Sequence, residues 1–288
     1  MTRSRFFWAR PPGFYYAACP SGPARFVGKC RSSLFDPPTV PFATMPSPAS
    51  AQPPIATRSA WLAQRVALLE REKEATRLLD RLAAERRRLP MVRIEENYVF
   101  EDAHGKCRFS DLFEGRTQLI VYHFMFDPEW NEGCPGCTGL IDEMGDLSLL
   151  AQRDTTFVLV ARAPIAKLEA YRQKRGWNRP WYSSFGNAFN YDFHVTQDET
   201  VRPVDYNYRS KAEMIARGRP DEFKGEVPGL SVFFRTAEGT IYHTYSAFAR
   251  GVESLTDSYA LLDVTPFGRQ EDWEDSPAGW PQRPTYGG

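Results

Sequence analysis

The hydrophobic pattern changes character several times along the chain, and each change marks an element. Across residues 59–89, Trp61, Leu62, Leu68, Leu69, Ala75, Leu78, Leu79, Leu82 and Leu89 recur at steps of three, four and seven among charged residues. That spacing predicts one long amphipathic helix. Ser59 stands where an N-cap belongs, and Pro90 stops the run. Arg65, Glu72 and Arg86 interrupt the heptad seam, so the helix is expected to lie on the globular domain or on a second subunit rather than in a dedicated coiled coil. Residues 98–101 and 106–110 flank Ala103-His104-Gly105 as the arms of a hairpin. Residues 118–126 are a near-continuous apolar run of strand length, the pattern of a strand covered on both faces. Leu140, Ile141, Met144, Leu147, Leu150 and Ala151 then repeat with helical period from about Cys134 onward, residues 155–160 supply another buried strand, and residues 165–175 a second helix closed by Gly176. Residues 230–235 and 240–246 around Ala237-Glu238-Gly239 predict a second hairpin, and residues 253–262 a closing helix.

Strand, helix, strand, helix, hairpin and helix in that order describe an α/β protein with a mixed sheet and helices on both faces. Between Trp177 and Pro228 no period resolves, and this stretch, rich in aromatic residues and Asn, reads either as a functional insertion or as packing over the sheet. Residues 1–57 form a Pro-rich tail, with ten prolines before Pro54, and cannot build helix or sheet interior. They are expected to be disordered: a flexible tail, a transit peptide, or a stretch upstream of a true start at Met45. The organisation expected is therefore tail (1–57), amphipathic helix (58–90), domain (91–268) and an acidic C-terminal tail (269–288).

Composition narrows the function. The 288 residues are 42% hydrophobic and 14% aromatic, enough for a substantial core. The 36 basic and 36 acidic side chains cancel, so no long-range field points to a nucleic acid or an anionic membrane as partner. The longest apolar run falls far short of the roughly 20 residues needed to cross a bilayer. Five cysteines at 19, 30, 107, 134 and 137 are odd in number and irregular in spacing, which fits a reducing, cytoplasmic setting better than a disulfide framework.

The chemistry concentrates in Cys134-Pro135-Gly136-Cys137, which follows the buried strand and opens the next helix. At this spacing two sulfurs can close a small disulfide. The unpaired amides and positive end of the helix favour a thiolate on Cys134, which makes it the attacking residue. Pro135 is tolerated in a first helical turn, and Cys137, one turn in, is shielded and suited to resolve a mixed disulfide. A structural metal site is the alternative, but it needs two more ligands, and neither Cys107 nor His123 stands at knuckle-like spacing. Cys107 reads as a small hydrophobe. His123, inside the first buried strand, is either a core histidine or a group that reaches the cysteine pair from the sheet.

The segments Leu119-Ile120-Val121-Tyr122-His123-Phe124-Met125-Phe126, Gly133-Cys134-Pro135-Gly136-Cys137, Ser183-Ser184-Phe185, Asn190-Tyr191-Asp192-Phe193-His194 and Pro228-Gly229-Leu230-Ser231-Val232-Phe233 resemble the bacterial family called domain of unknown function 899. That family is described as thioredoxin-like, predicted dithiol-disulfide oxidoreductases, and the resemblance spans roughly residues 59–268. It implies a thioredoxin-like mixed sheet and an enzyme that exchanges thiols and disulfides with protein or small-molecule partners. No cofactor, no metal and no specific substrate is implied. Likeness to thioredoxins further assigns Trp130, four residues before Cys134, as a cover for the disulfide, since Gly133 takes the place where thioredoxins carry Trp. Asp127 becomes either a proton shuttle or an ordinary strand-end turn acid. Pro228 becomes either a substrate-clamping cis-proline or a turn proline. Peroxiredoxins place Thr three residues and Pro seven residues before their reactive cysteine; Asn131 and Asp127 stand there instead, which makes peroxide reduction the weaker alternative.

Overall fold

The computed structural model describes residues 52–218 and 224–256, with 270–272, 274–276, 278–280 and 282 near the C-terminus. Most of the Pro-rich tail, the later part of the predicted closing helix and most of the C-terminal tail lie outside the described residues.

Helix α1 (Arg58–Arg86) starts one turn before its first apolar residues because Thr57, in extended conformation, accepts the Ala60 amide on its side chain. Thr57 is thus the cap in place of Ser59. The strands β1 (Val92–Arg93), β2 (Val99–Asp102) and β3 (Gly105–Arg108) follow. The β2–β3 turn is made by Asp102, whose carboxylate accepts the amides of His104 and Gly105 at 2.7 and 3.0 Å, while Gly105 adopts φ 127°, which favours a residue without Cβ. A 3-10 helix (Phe109–Phe113) leads into β4 (Gln118–His123). The single helix expected after Cys134 is two: α2 (Pro135–Asp142) and α3 (Ser148–Gln152). Gly145 weakens the helix between them, and the Asp146 carboxylate takes the Ser148 amide and hydroxyl, a local turn that competes with helical bonding.

After β5 (Thr155–Ala161) and α4 (Ile165–Arg175), ended by Gly176 at φ 69°, come β6 (Trp181–Ser183), α5 (Phe189–Asp192), β7 (Thr196–Gln197), β8 (Asp205–Tyr206), β9 (Arg209–Ser210) and α6 (Lys211–Ala216). Then follow β10 (Gly225–Glu226), β11 (Gly229–Arg235) and β12 (Ile241–Phe248). A 3-10 helix (Ala249–Leu255) occupies the start of the predicted closing α-helix.

The main sheet runs β1-β12-β11-β4-β5-β6-β2-β3. β4, β5 and β6 are parallel, β11 is antiparallel to β4, and β12 to β11. Its centre, β12-β11-β4-β5, joins a parallel strand-helix-strand unit to an antiparallel hairpin, which is the thioredoxin-like topology. Side chains alternate across β4. Tyr122, with Phe124 beyond the strand end, joins Leu159, Ala161, Ile141 and Leu168 under α2 and α4. Leu119 and Val121 face the other way, with Val158, Val160 and the rings of Phe109, Phe113, Phe189 and Phe233. The 177–228 insertion is thus partly structural, since it extends the sheet with β6 and packs Phe189 and Phe193 onto this second core.

Helix α1 behaves differently from the rest. None of its residues is buried, and the Arg86 guanidinium over the Tyr245 ring, 4.9 Å from its centroid, ties its end to β12. Its apolar residues are not buried on its own domain, which leaves the second subunit of the two surfaces expected for them. Among the described residues no helix is long and apolar enough to cross a membrane.

Candidate active site

The parallel strands end at the edge where chain crossovers leave room for a site, and both cysteines sit there. Beyond β4 the backbone stays extended: the Phe124 amide donates to Val160 O at 2.9 Å. Met125 then binds the cysteine segment through both of its main-chain groups. Its carbonyl accepts the Cys134 amide at 3.0 Å, and its own amide donates to Cys137 Sγ at 3.5 Å. Cys134 is the N-cap of α2, with Pro135 in the first helical position. Thr138, one turn in, donates its amide and its hydroxyl to the Cys134 carbonyl, both at 2.9 Å, and its hydroxyl lies 2.8 Å from the buried Tyr171 hydroxyl.

Gly133 is required by packing. A Cβ there would meet Phe124 Cε1 at 2.6 Å and Tyr171 Cε1 at 3.2 Å. Those rings belong to an aromatic cluster with Phe126, Trp177 and Trp181. No side chain fits before the first cysteine while the rings hold their places.

The two thiols have opposite character. Cys134 is half-buried, and its thiol is lowered to about 6, first by the hydrogen bond from the Cys137 thiol and then by the amides of Cys137 and Gly136, which together outweigh partial burial. Cys137 is 2% exposed. Burial holds its thiol well above the ordinary range, against smaller lowering contributions from hydrogen bonds with the Tyr122 side chain and the Met125 amide. Both thiols are free. At neutral pH the arrangement carries one half-buried thiolate that accepts a hydrogen bond from one protonated, sheltered thiol a helical turn away. Cys107 is raised to about 11 by burial and by Asp102, Asp111 and Glu101, in keeping with an inert thiol.

The other expected site residues divide. Trp130 is 37% exposed in the loop leading to Cys134, where its amide bonds the Asp127 carbonyl and its own carbonyl accepts from Lys167 Nζ. Asp127 is a turn acid: its carboxylate accepts the Glu129 amide at 2.9 Å and pairs with Arg162, so the proton-shuttle expectation is replaced by a structural ion pair. Arg162 also binds the buried Glu226, Nε to Oε1, at 2.7 Å. Asn190 and Thr196 complete the shell of Glu226. His123 is fully buried on the opposite face of the sheet, near Phe189 and Phe193, because strand alternation sends it away from Tyr122 and the cysteines. Its Nε2 bonds Ser231 Oγ at 2.8 Å, and burial lowers the ring to about 3, so it is a neutral core histidine. Pro228 directly precedes β11, at the same end of the sheet as the cysteines, since Gly229 pairs with His123. All peptide bonds among the described residues are trans, so the cis-proline expectation gives way to the turn-proline reading. The Pro228 carbonyl accepts the Tyr206 hydroxyl at 3.0 Å. Among the described residues no three His, Cys, Asp or Glu side chains gather as a metal site would require.

The sequence profile of the family described as bacterial protein of unknown function (DUF899) matches residues 50–286. The chain belongs to that family. None of the curated proteins compared matches this DUF899 chain. Among solved structures it is similar to the Xanthomonas campestris bacterioferritin comigratory protein, with 12% identity and a TM-score of 0.39 over 58% of this chain and 92% of that one. It is similar also to peroxidoxin BcpB of Mycobacterium tuberculosis, with 13% identity and a TM-score of 0.37 over 58% and 92%.

Three contributors to this DUF899 site escaped the sequence reading. Tyr122 reaches Cys137 from the strand, and its signal was parity, since it shares a face with Phe124 while His123 does not. Thr138 stands four residues after Cys134, where a helical side chain reaches back to the cap carbonyl. Arg162 lies 35 residues from Asp127, a separation at which pairing leaves no local pattern.

Proposed function

We propose that this protein is a thiol-disulfide oxidoreductase in which Cys134 is the nucleophile and Cys137 the resolving thiol, working on protein or small-molecule partners in a reducing cytoplasm. One observation carries the reading: a half-buried Cys134 lowered to about 6 at the start of α2, hydrogen-bonded by a buried Cys137 that keeps its proton.

In the reducing direction the Cys134 thiolate attacks one sulfur of the substrate disulfide, and the other sulfur leaves as a thiolate that takes up a proton. Cys137 then gives up its proton and attacks Cys134 Sγ, which releases the second substrate sulfur and leaves a Cys134–Cys137 disulfide. Two electrons pass from the pair to the substrate; the oxidising direction is the reverse. Once Cys134 is spent in the mixed disulfide, the Tyr122 hydroxyl and the Met125 amide remain as the groups that stabilise developing charge on Cys137. Trp130, partly exposed in the adjoining loop, is assigned to contact substrate in this reading.

The test uses Cys137→Ser with a model disulfide. A mixed disulfide trapped on Cys134, together with insulin reduction by the wild type under dithiothreitol, supports the proposal; no adduct and no reduction overturn it. Stoichiometric zinc in reduced, purified protein would instead support a metal-binding module. Rapid oxidation of Cys134 by peroxide, followed by closure of the disulfide with Cys137, would add peroxide to the substrates.

A further inference from the structure

Helix α1 spans 29 residues, about 43 Å at helical rise, yet leaves its large apolar side chains in water. Trp61, Leu68, Leu78, Leu79 and Leu82 are between 42% and 65% exposed. Trp61, Leu68, Ala75 and Leu82 stand at successive seven-residue steps, the repeat that keeps one stripe facing a partner helix. Two charges that interrupt this stripe neutralise each other, since Arg65 Nη2 donates to Glu72 Oε2 at 2.8 Å. That pairing lowers the cost of covering them.

The charge order along α1 says what covers the stripe. Reversing the helix about the point between Arg71 and Glu72 sets Arg58 opposite Glu85, Glu70 opposite Lys73, and Arg71 opposite Glu72. No like charges face each other in that register. Trp61 falls opposite Leu82, apolar against apolar, and Leu68 opposite Ala75, large against small. A parallel, in-register pair would set every charge against its own copy. We propose that α1 pairs antiparallel with α1 of a second copy of this chain, with the two-fold axis between Arg71 and Glu72.

The area is adequate. Each half-exposed Leu or Trp keeps on the order of 100 Å² in water. Five from each copy bring about 1,000 Å² of apolar surface together, and the polar flanks carry the total into the range of about 1,200–2,000 Å² that specific interfaces occupy. The contact is isologous, as closed dimers require. Because the cysteine pair sits on another element, its reactivity does not depend on this pairing.

Sedimentation of the full chain at micromolar concentration tests the proposal. A dimer is expected. Leu68→Glu with Leu82→Glu should give a monomer with unchanged helical circular dichroism, since both positions are exposed. Arg71→Glu alone sets it against the partner's Glu72 and should weaken association by about tenfold or more; adding Glu72→Arg together with Arg65→Glu should restore it, because each helix then presents the reversed pair and keeps its own ion pair at 65 and 72. A wild-type monomer, as would result if residues 1–51 of the same chain covered the helix, overturns the proposal. So does a dimer insensitive to the two glutamates, or one that the paired reversal fails to restore.

Discussion

Replacing Cys137 with Ala removes the thiol that donates to Cys134 but leaves the main-chain donors of Gly136 and Cys137 in place. Cys134 lies at about 6, against about 8.5 for an ordinary thiol, a depression worth about 3.4 kcal/mol. The Cys137 thiol is its largest cause, so the variant should titrate at least about one unit higher, a loss of about 1.4 kcal/mol. At pH 7 the thiolate fraction then falls from about nine-tenths to about one-half or less. Each thiolate, however, becomes about threefold more nucleophilic per unit of basicity. The two effects nearly cancel at neutral pH, so the rate at one pH is a poor readout and the midpoint is a good one. Alkylation of reduced protein by iodoacetamide should be followed across the acid and alkaline range, with the Cys134 peptide quantified by mass spectrometry to exclude the other thiols. The expected profile has a midpoint near 6 in the wild type; in Cys137→Ala the midpoint is at least about one unit higher and the plateau rate raised. A midpoint unchanged within a few tenths would refute the assignment of Cys137 as the group that keeps Cys134 ionised.

Other consequences are as direct. Tyr122→Phe should leave the alkylation midpoint of Cys134 nearly unchanged and slow the release of a mixed disulfide by Cys137, seen by stopped flow; equal rates would show that Tyr122 only packs. Gly133→Ala forces a Cβ against Phe124 and Tyr171 and should cost about 1–3 kcal/mol in denaturant unfolding, with little effect if the rings yield. Arg162→Met leaves Glu226 buried without its cation and should cost about 3–5 kcal/mol near neutral pH. Burial already raises Glu226, and a carboxyl raised in the folded state loses stability as pH rises through its folded value, so this variant should recover stability on acidification. Cys134 has the opposite sign: its lowered thiol stabilises the reduced fold fully above about pH 8.5, and that contribution is lost as pH falls through about 6. The melting difference between reduced wild type and Cys134→Ala should therefore grow with pH across that window.

The sheet was legible because burial on both faces leaves a continuous apolar run, as in residues 118–126 and 155–160, and because hairpin turns carry Gly at the tight position. The cysteine pair was legible for a related reason: its chemistry needs only a strand, a turn and a helix start, all local. Distant pairings leave no such pattern. Asp127 was as good a shuttle as a turn acid until Arg162 was found beside it, and His123 was as close to the cysteines in sequence as Tyr122 but sits across the sheet. The helical period of 140–151 concealed a break because Gly145 and Asp146 act through main-chain geometry, to which apolar spacing is blind. For α1 the stripe was readable, but an amphipathic pattern reports that a face wants covering and not whether its own domain does so.

Met125 holds both cysteines through its peptide groups alone, one sulfur by its amide and one backbone by its carbonyl. The clamp itself does not depend on the side chain, which packs half-buried against the core, so apolar replacements of similar size there should leave the cysteine pair in register. Proline is the exception, because its ring nitrogen has no hydrogen to offer the inner sulfur. Gly133 is under the contrary rule, its main chain ordinary and its missing side chain indispensable. Two residues that hold the same cysteine segment should thus drift at different speeds through descent, Met125 among side chains that fill its half-buried place and Gly133 scarcely at all.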